Sequence, residues 1–219
     1  MARFKRMARG VKSTARIVTE NLCEEGFRYR AAMVMLSYAK VEDWQANHIR
    51  EFIKRMREWA RRRDIHVPYV WVMELQERGA VHYHIIIWLP RGYTIPMPDK
   101  QGWWKHGLTS VQWARRPVGY LAKYASKLRS KCGESIQLPY GARLWGSGGL
   151  TLAQKIQRGF YLAPQWLQNF SSPGVTGNYA ASFICRIEGV EGGSSLNHWS
   201  ERWRRRDGSD GVLQRGVGC

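Results

Sequence analysis

The runs HVPYVWVMELQ (66–76) and VHYHIIIWLP (81–90) are both of strand length, rich in Val, Ile and aromatic residues, and joined by the four residues ERGA. So short a connection forces antiparallel pairing. No other part of the chain restricts its fold as tightly. AAMVMLSY (31–38) is a third apolar run of strand length, LTSVQWA (108–114) a shorter fourth, and YAASFICRIEGV (179–190) a late one. Ile49, Phe52, Ile53, Met56 and Ala60 recur at helical spacing and predict a helix over 42–64, with Asp43 as its N-cap. RPVGYLAKYASKLRSKCG (116–133) predicts a basic helix that stops near Gly133, and LPYGARLWGSGGL (138–150) a glycine-rich loop. Strand, helix, hairpin, strand and helix in that order imply an α+β fold, an antiparallel sheet with its helices on one side. No internal repeat is present. Residues 1–30 form a basic arm with one short helix, and the Gly/Ser/Arg-rich 191–219 a loose tail.

The hairpin carries two histidines one residue apart, His82 and His84. In a strand such residues share a face, so two imidazoles stand side by side. A bare His-x-His is commonly a solvated sheet face; the hairpin register is what distinguishes this one. A two-residue loop at Arg78-Gly79 sets Glu74 opposite Tyr83, facing away from the histidines. A three-residue loop, Glu77-Arg78-Gly79, sets it opposite His82 on the same face, with Gly79 in the left-handed position of a bulged turn. Glu74 is then the third ligand and Gln76, nearer the turn, the reserve. Two imidazoles and an oxygen donor, without thiolate, suit a divalent cation such as Mg²⁺ or Mn²⁺ with open positions for phosphoryl transfer.

The segment GYLAKYASK repeats Tyr-x-x-Lys: Tyr120 with Lys123, then Tyr124 with Lys127. On a helix the two tyrosines project from one face. Tyrosines alone would read as core. Each followed by a lysine, in a cationic helix, they read as nucleophiles toward a metal-polarised phosphate, with cations to meet the developing charge.

The charge balance identifies the substrate class. Lys and Arg number 35 against 17 acids, a net charge of +18 and a pI near 10.2, accompanied by 11 tryptophans. Cations neutralise phosphates and aromatic faces stack on unpaired bases, which points to single-stranded nucleic acid. Arg50, Lys54, Arg57 and Arg61 along the first predicted helix, and Arg115 and Arg116 ahead of the tyrosines, are candidate phosphate contacts. The four cysteines form no C-x-x-C pair, which argues against structural zinc and fits a reducing compartment. No apolar run is long enough to span a membrane, and MARFKRMARGVKSTAR lacks the apolar segment of a secretory signal.

HYH, with Tyr83 at its centre, resembles the His-hydrophobic-His signature of the HUH endonucleases. YLAKY resembles the tyrosine motif of their rolling-circle replication initiators, most closely those of single-stranded DNA bacteriophages of the filamentous and isometric types. AAMVMLSYA is similar to the first motif of that family, with Ser37 where Thr is more usual, and YGARLWGSGGL to a glycine-rich segment after the tyrosine helix in filamentous-phage initiators. The motifs cover roughly residues 31–150 in the family's order.

The resemblance implies an HUH nuclease domain over 31–190, with a five-stranded antiparallel sheet like an RNA-recognition fold and the histidines on a central strand. It implies nicking of single-stranded or hairpin origin DNA through a 5′-phosphotyrosine, in the cytoplasm of a bacterial host. No Walker A loop is present, so unwinding and synthesis fall to host helicase and polymerase. A tyrosine transposase or relaxase on the same site is the alternative enzyme, and an RNA-recognition-like single-strand binder the non-enzymatic one.

Overall fold

The structure, a computed structural model, describes residues 2–24, 28–76, 79–131, 138–163, 202–204 and 210–212. The expected strand at 179–190 lies outside the described residues. In chain order the elements are α1 (Ala2–Glu24), β1 (Tyr29–Ser37), α2 (His48–Arg61), β2 (Tyr69–Leu75), β3 (Val81–Pro90), β4 (Thr109–Trp113), α3 (Pro117–Lys131), β5 (Trp145–Gly148) and α4 (Leu152–Leu162). Two short strands, β6 (Arg202–Arg204) and β7 (Asp210–Val212), pair with each other within the stretch expected to be a loose tail. The five main strands form one antiparallel sheet in the order β4-β1-β3-β2-β5, flanked by four helices, an α+β fold.

β3 lies at the centre of the sheet, between β1 and β2. Its register sets Glu74 opposite His82 and Leu75 opposite Val81, the pairing that a three-residue loop requires. Gln76 and Ala80 close the turn, with the Ala80 carbonyl accepting from the Gln76 amide, and Gly79 sits at φ 84°. A β-carbon is strained at that angle, so glycine belongs there.

Helices cover both faces, a departure from the one-sided arrangement expected. Every residue of β2, and of β3 as far as Leu89, is buried, so neither face of this hairpin meets water. Ile85, Ile86 and Ile87 are each wholly buried, about 1.5–3 kcal/mol apiece relative to exposure. The face of His82, His84 and Ile86 lies under α3, with α1 and α4 packed alongside α3. The face of Tyr83, Ile85 and Ile87 lies under α2 and an aromatic cluster, in which Tyr38 meets His48 of α2, Tyr83 and Trp104. Tyr83 therefore points away from the histidines. Its hydroxyl accepts from Trp44 Nε1 at 2.9 Å, and burial pushes its pKa up to about 12.

Three further elements differ from expectation. The N-terminal segment is a 23-residue helix, not an arm with one short helix. Met7, Val11, Ala15, Val18 and Leu22 recur at three- and four-residue spacing and are buried in the core, while Arg3, Lys5, Arg6 and Arg9 stay outside. The helix expected over 42–64 is confined to His48–Arg61, and its N-cap is Asn47 rather than Asp43. The fifth strand comes from the segment expected to be a glycine-rich loop. Its glycines admit large side chains of β2: a β-carbon on Gly146 would stand 2.6 Å from Trp71 Nε1. Among the described residues no helix is long and apolar enough to cross a membrane.

Candidate active site

β2 supplies a carboxylate, β3 two imidazoles and α3 two phenols to one face of the sheet. Glu74, His82 and His84 are 7 %, 7 % and 2 % exposed. His84 stands at the centre of the cluster. Its Nε2 is 2.6 Å from Glu74 Oε2, and its Nδ1 is 2.9 Å from the Tyr120 hydroxyl. A carboxylate only accepts, so Nε2 carries the proton, and Nδ1 of the neutral ring accepts from Tyr120. The result is a carboxylate–imidazole–phenol relay running from β2 through β3 to α3.

Tyr124 lies flat against His84, ring centroids 3.4 Å apart at 17°, and 4.7 Å from the ring of Tyr120. Pro117, whose missing N–H costs nothing at the first helical position, starts α3 and fixes the phase of both tyrosines. Lys127 Nζ donates to Glu74 Oε1 at 3.4 Å and sits 5.4 Å from the Tyr124 ring. Lys123 Nζ is 5.9 Å from that ring and exposed. The two lysines thus differ in placement: Lys127 is tied to the carboxylate, and Lys123 is directed to the outside.

Electrostatics follow from these contacts. Burial alone would raise the Glu74 pKa, but the hydrogen bond and charge of His84, then Lys127, outweigh it and hold the carboxyl below its ordinary value. Burial, the hydrogen bond to Tyr124 and the charge of Glu74 all hold the Tyr120 phenol proton well above the ordinary range. Tyr120 therefore needs an acceptor to become a nucleophile, and His84 Nδ1 is in place as one.

The donors that could hold a cation are Glu74, His82 and His84. Gln76 stands beside them, its Nε2 donating to His82 Nδ1 at 3.3 Å. Two imidazole nitrogens and a carboxylate oxygen suit a divalent ion. Among the described residues, however, no three His, Cys, Asp or Glu side chains are gathered to close on one ion as they stand. The His82 and His84 rings are 6.5 Å apart, and Glu74 is held on His84 by a shared proton.

Arg115 and Arg116 lie where the site opens. With Met33, Trp113, Tyr120 and Lys123 they line a groove of about 590 Å³ beside the tyrosine. Trp113 was not singled out by sequence reasoning, because eleven tryptophans give no sign of which one the fold leaves exposed. The stripe Arg50, Lys54, Arg57 and Arg61 is exposed along α2. It lies on the opposite face of the sheet, and the fold does not bring it to the tyrosines.

No curated protein and no solved structure matches the chain significantly. Residues 31–129, just under half of the chain and carrying every member of the cluster, match a family model described as replication-associated protein of the ORF2 type, a similarity consistent with a replication initiator of the Rep type.

Proposed function

We propose that the protein initiates rolling-circle replication as an HUH-type nuclease, nicking single-stranded or hairpin origin DNA and transferring the strand through a 5′-phosphotyrosine. The observation that carries this reading is His84 held between Glu74 and Tyr120, a base set against a nucleophile and oriented by a carboxylate. Tyr120 Oη attacks the phosphorus while its proton passes to His84 Nδ1. The phosphorus–O3′ bond breaks, and O3′ leaves with a proton as a free 3′-hydroxyl. Glu74 stabilises the imidazolium that forms. Lys123, on the open side, meets the charge developing on the phosphate. Lys127 holds Glu74 in its orientation.

Tyr124 gives a second nucleophile on the same helix face. One strand can stay attached while a new junction is attacked, and a 3′-hydroxyl returning to the phosphotyrosine rejoins the circle. A divalent ion, Mg²⁺ or Mn²⁺, held by Glu74, His82 and His84 with Gln76 beside them, would polarise the phosphodiester. Its binding requires the proton now shared by Glu74 and His84 to leave, so affinity falls as pH falls. Host helicase and polymerase extend the freed 3′ end, in the cytoplasm of a bacterial host if the gene is carried by a phage.

The reading is tested by incubation with circular single-stranded DNA, with Mn²⁺ or with EDTA. The nuclease cuts and attaches only with the metal. A binder holds DNA uncut in both conditions, and that result would sink the proposal. A paired tyrosine favours an initiator over a transposase with a single tyrosine.

A further inference from the structure

Among the described side chains with assigned exposure, Trp113 is the one tryptophan left open, at 39 %. It is the last residue of β4, the edge strand. The guanidinium carbon of Arg30 lies 4.0 Å above its ring. This is the geometry of a cation–π pair, and it fixes the indole on one side while leaving ring surface in solvent. Nothing in the fold requires a fixed, open indole at a sheet edge.

The surroundings supply a reason. The groove beside Tyr120 shares Trp113, Ala114 and Arg115 with a second groove, lined also by Arg30. That groove in turn shares Arg30 with a third, lined by Arg91 and Gly92. The three make one track leading from the nucleophile to the sheet edge. Lys123, Arg116, Arg115, Arg30 and Arg91 follow it, and no Asp or Glu lines any part of it. Five cations without an acid suit a phosphate chain, and an open indole suits an unpaired base. Duplex DNA hides its base faces and has no use for that ring.

We propose that Trp113, propped by Arg30, is a base-stacking subsite for single-stranded DNA, which follows the cationic track away from Tyr120. The inference rests on the nuclease reading for the identity of the strand, but its test does not involve cleavage. Anisotropy of a labelled, unstructured oligonucleotide in EDTA measures binding alone. Trp113→Ala should weaken it by about 5- to 150-fold, the range for loss of one base–aromatic stack. Trp113→Phe should recover most of the affinity. Arg115→Gln with Arg116→Gln, Trp113 intact, should lower the slope of log K against log salt by about 1.4, for two phosphates released.

A duplex of the same sequence should bind equally well to parent and Trp113→Ala. The proposal is overturned if Trp113→Ala holds the single strand within twofold of the parent, or if duplex and single strand weaken together. Circular dichroism and thermal melting of both Trp113 variants show whether the fold is intact. If the parent fails to cut DNA with Mn²⁺, the nuclease reading falls while the stacking result stands; the converse outcome removes the subsite alone.

Discussion

Replacing Glu74 by Gln separates two roles that coincide in one carboxylate. The substitution keeps the shape of a side chain that is 7 % exposed, accepting at 2.6 Å from His84 and at 3.4 Å from Lys127. A hydrogen bond to a charged group is worth about 1.5–3 kcal/mol net, against about 0.5–1.5 for a neutral pair. The difference of about 1–2 kcal/mol falls on the step at which His84 becomes an imidazolium. At about 1.36 kcal/mol per decade, single-turnover cleavage of a labelled oligonucleotide should slow by about 5- to 30-fold. Oligonucleotide binding in EDTA should be unchanged. Were Glu74 only a metal ligand, raising Mn²⁺ would restore the parental rate. The relay predicts that the loss persists at saturating Mn²⁺, and full recovery there would refute it.

Other outcomes follow from the same geometry. Tyr120→Phe should abolish the first cleavage, whereas Tyr124→Phe should cut once and fail in the second transfer, as read from the products of a circular substrate on a gel. Because the folded Glu74 pKa lies below its unfolded value near 4.5, the carboxylate stabilises the fold fully above about pH 4.5 and ceases to as pH falls through the depressed value. Melting temperature between about pH 6 and 3 should therefore fall more steeply for the parent than for Glu74→Gln. Gly146→Ala drives a β-carbon onto buried Trp71 and should cost about 1–3 kcal/mol in a denaturant melt. Gly159→Ala, exposed in α4 with nothing within 4 Å, should add up to about 1 kcal/mol in the same assay.

The hairpin geometry was legible because a loop three residues long permits one register, and Gly79 marked where the chain turns left-handed. Helical spacing likewise placed Tyr120 and Tyr124 on one face of α3. What could not be read was which way α2 packs. Its cationic stripe is compatible with either face of the sheet. The unbroken apolar runs of β2 and β3 were the available sign that both faces are covered.

β5 escaped notice because Trp145-Gly146-Ser147-Gly148 has no apolar alternation; its glycines answer to Trp71 and Tyr69 across the sheet, a contact local patterning does not encode. α4 did carry a local sign, the Thr151–Gln154 capping box, in which each side chain accepts from the other's backbone N–H. In α1 the cations obscured an apolar stripe of five buried residues. The site's residues could be picked out from spacing, but not the division between Lys127 and Lys123, which depends on how α3 lies over Glu74.

The central claim is that a tyrosine of α3 attacks the phosphodiester, and that it is the one hydrogen-bonded to His84. The direct measurement is to incubate the parent and the Tyr120→Phe, Tyr124→Phe and doubly substituted proteins with Mn²⁺ and single-stranded circular DNA, digest, and map the nucleotide-bearing peptide by mass spectrometry. The account predicts first-round adducts on Tyr120 in the parent and in Tyr124→Phe, and none in the double variant. A covalent adduct surviving in the double variant, or an adduct outside α3, would contradict it.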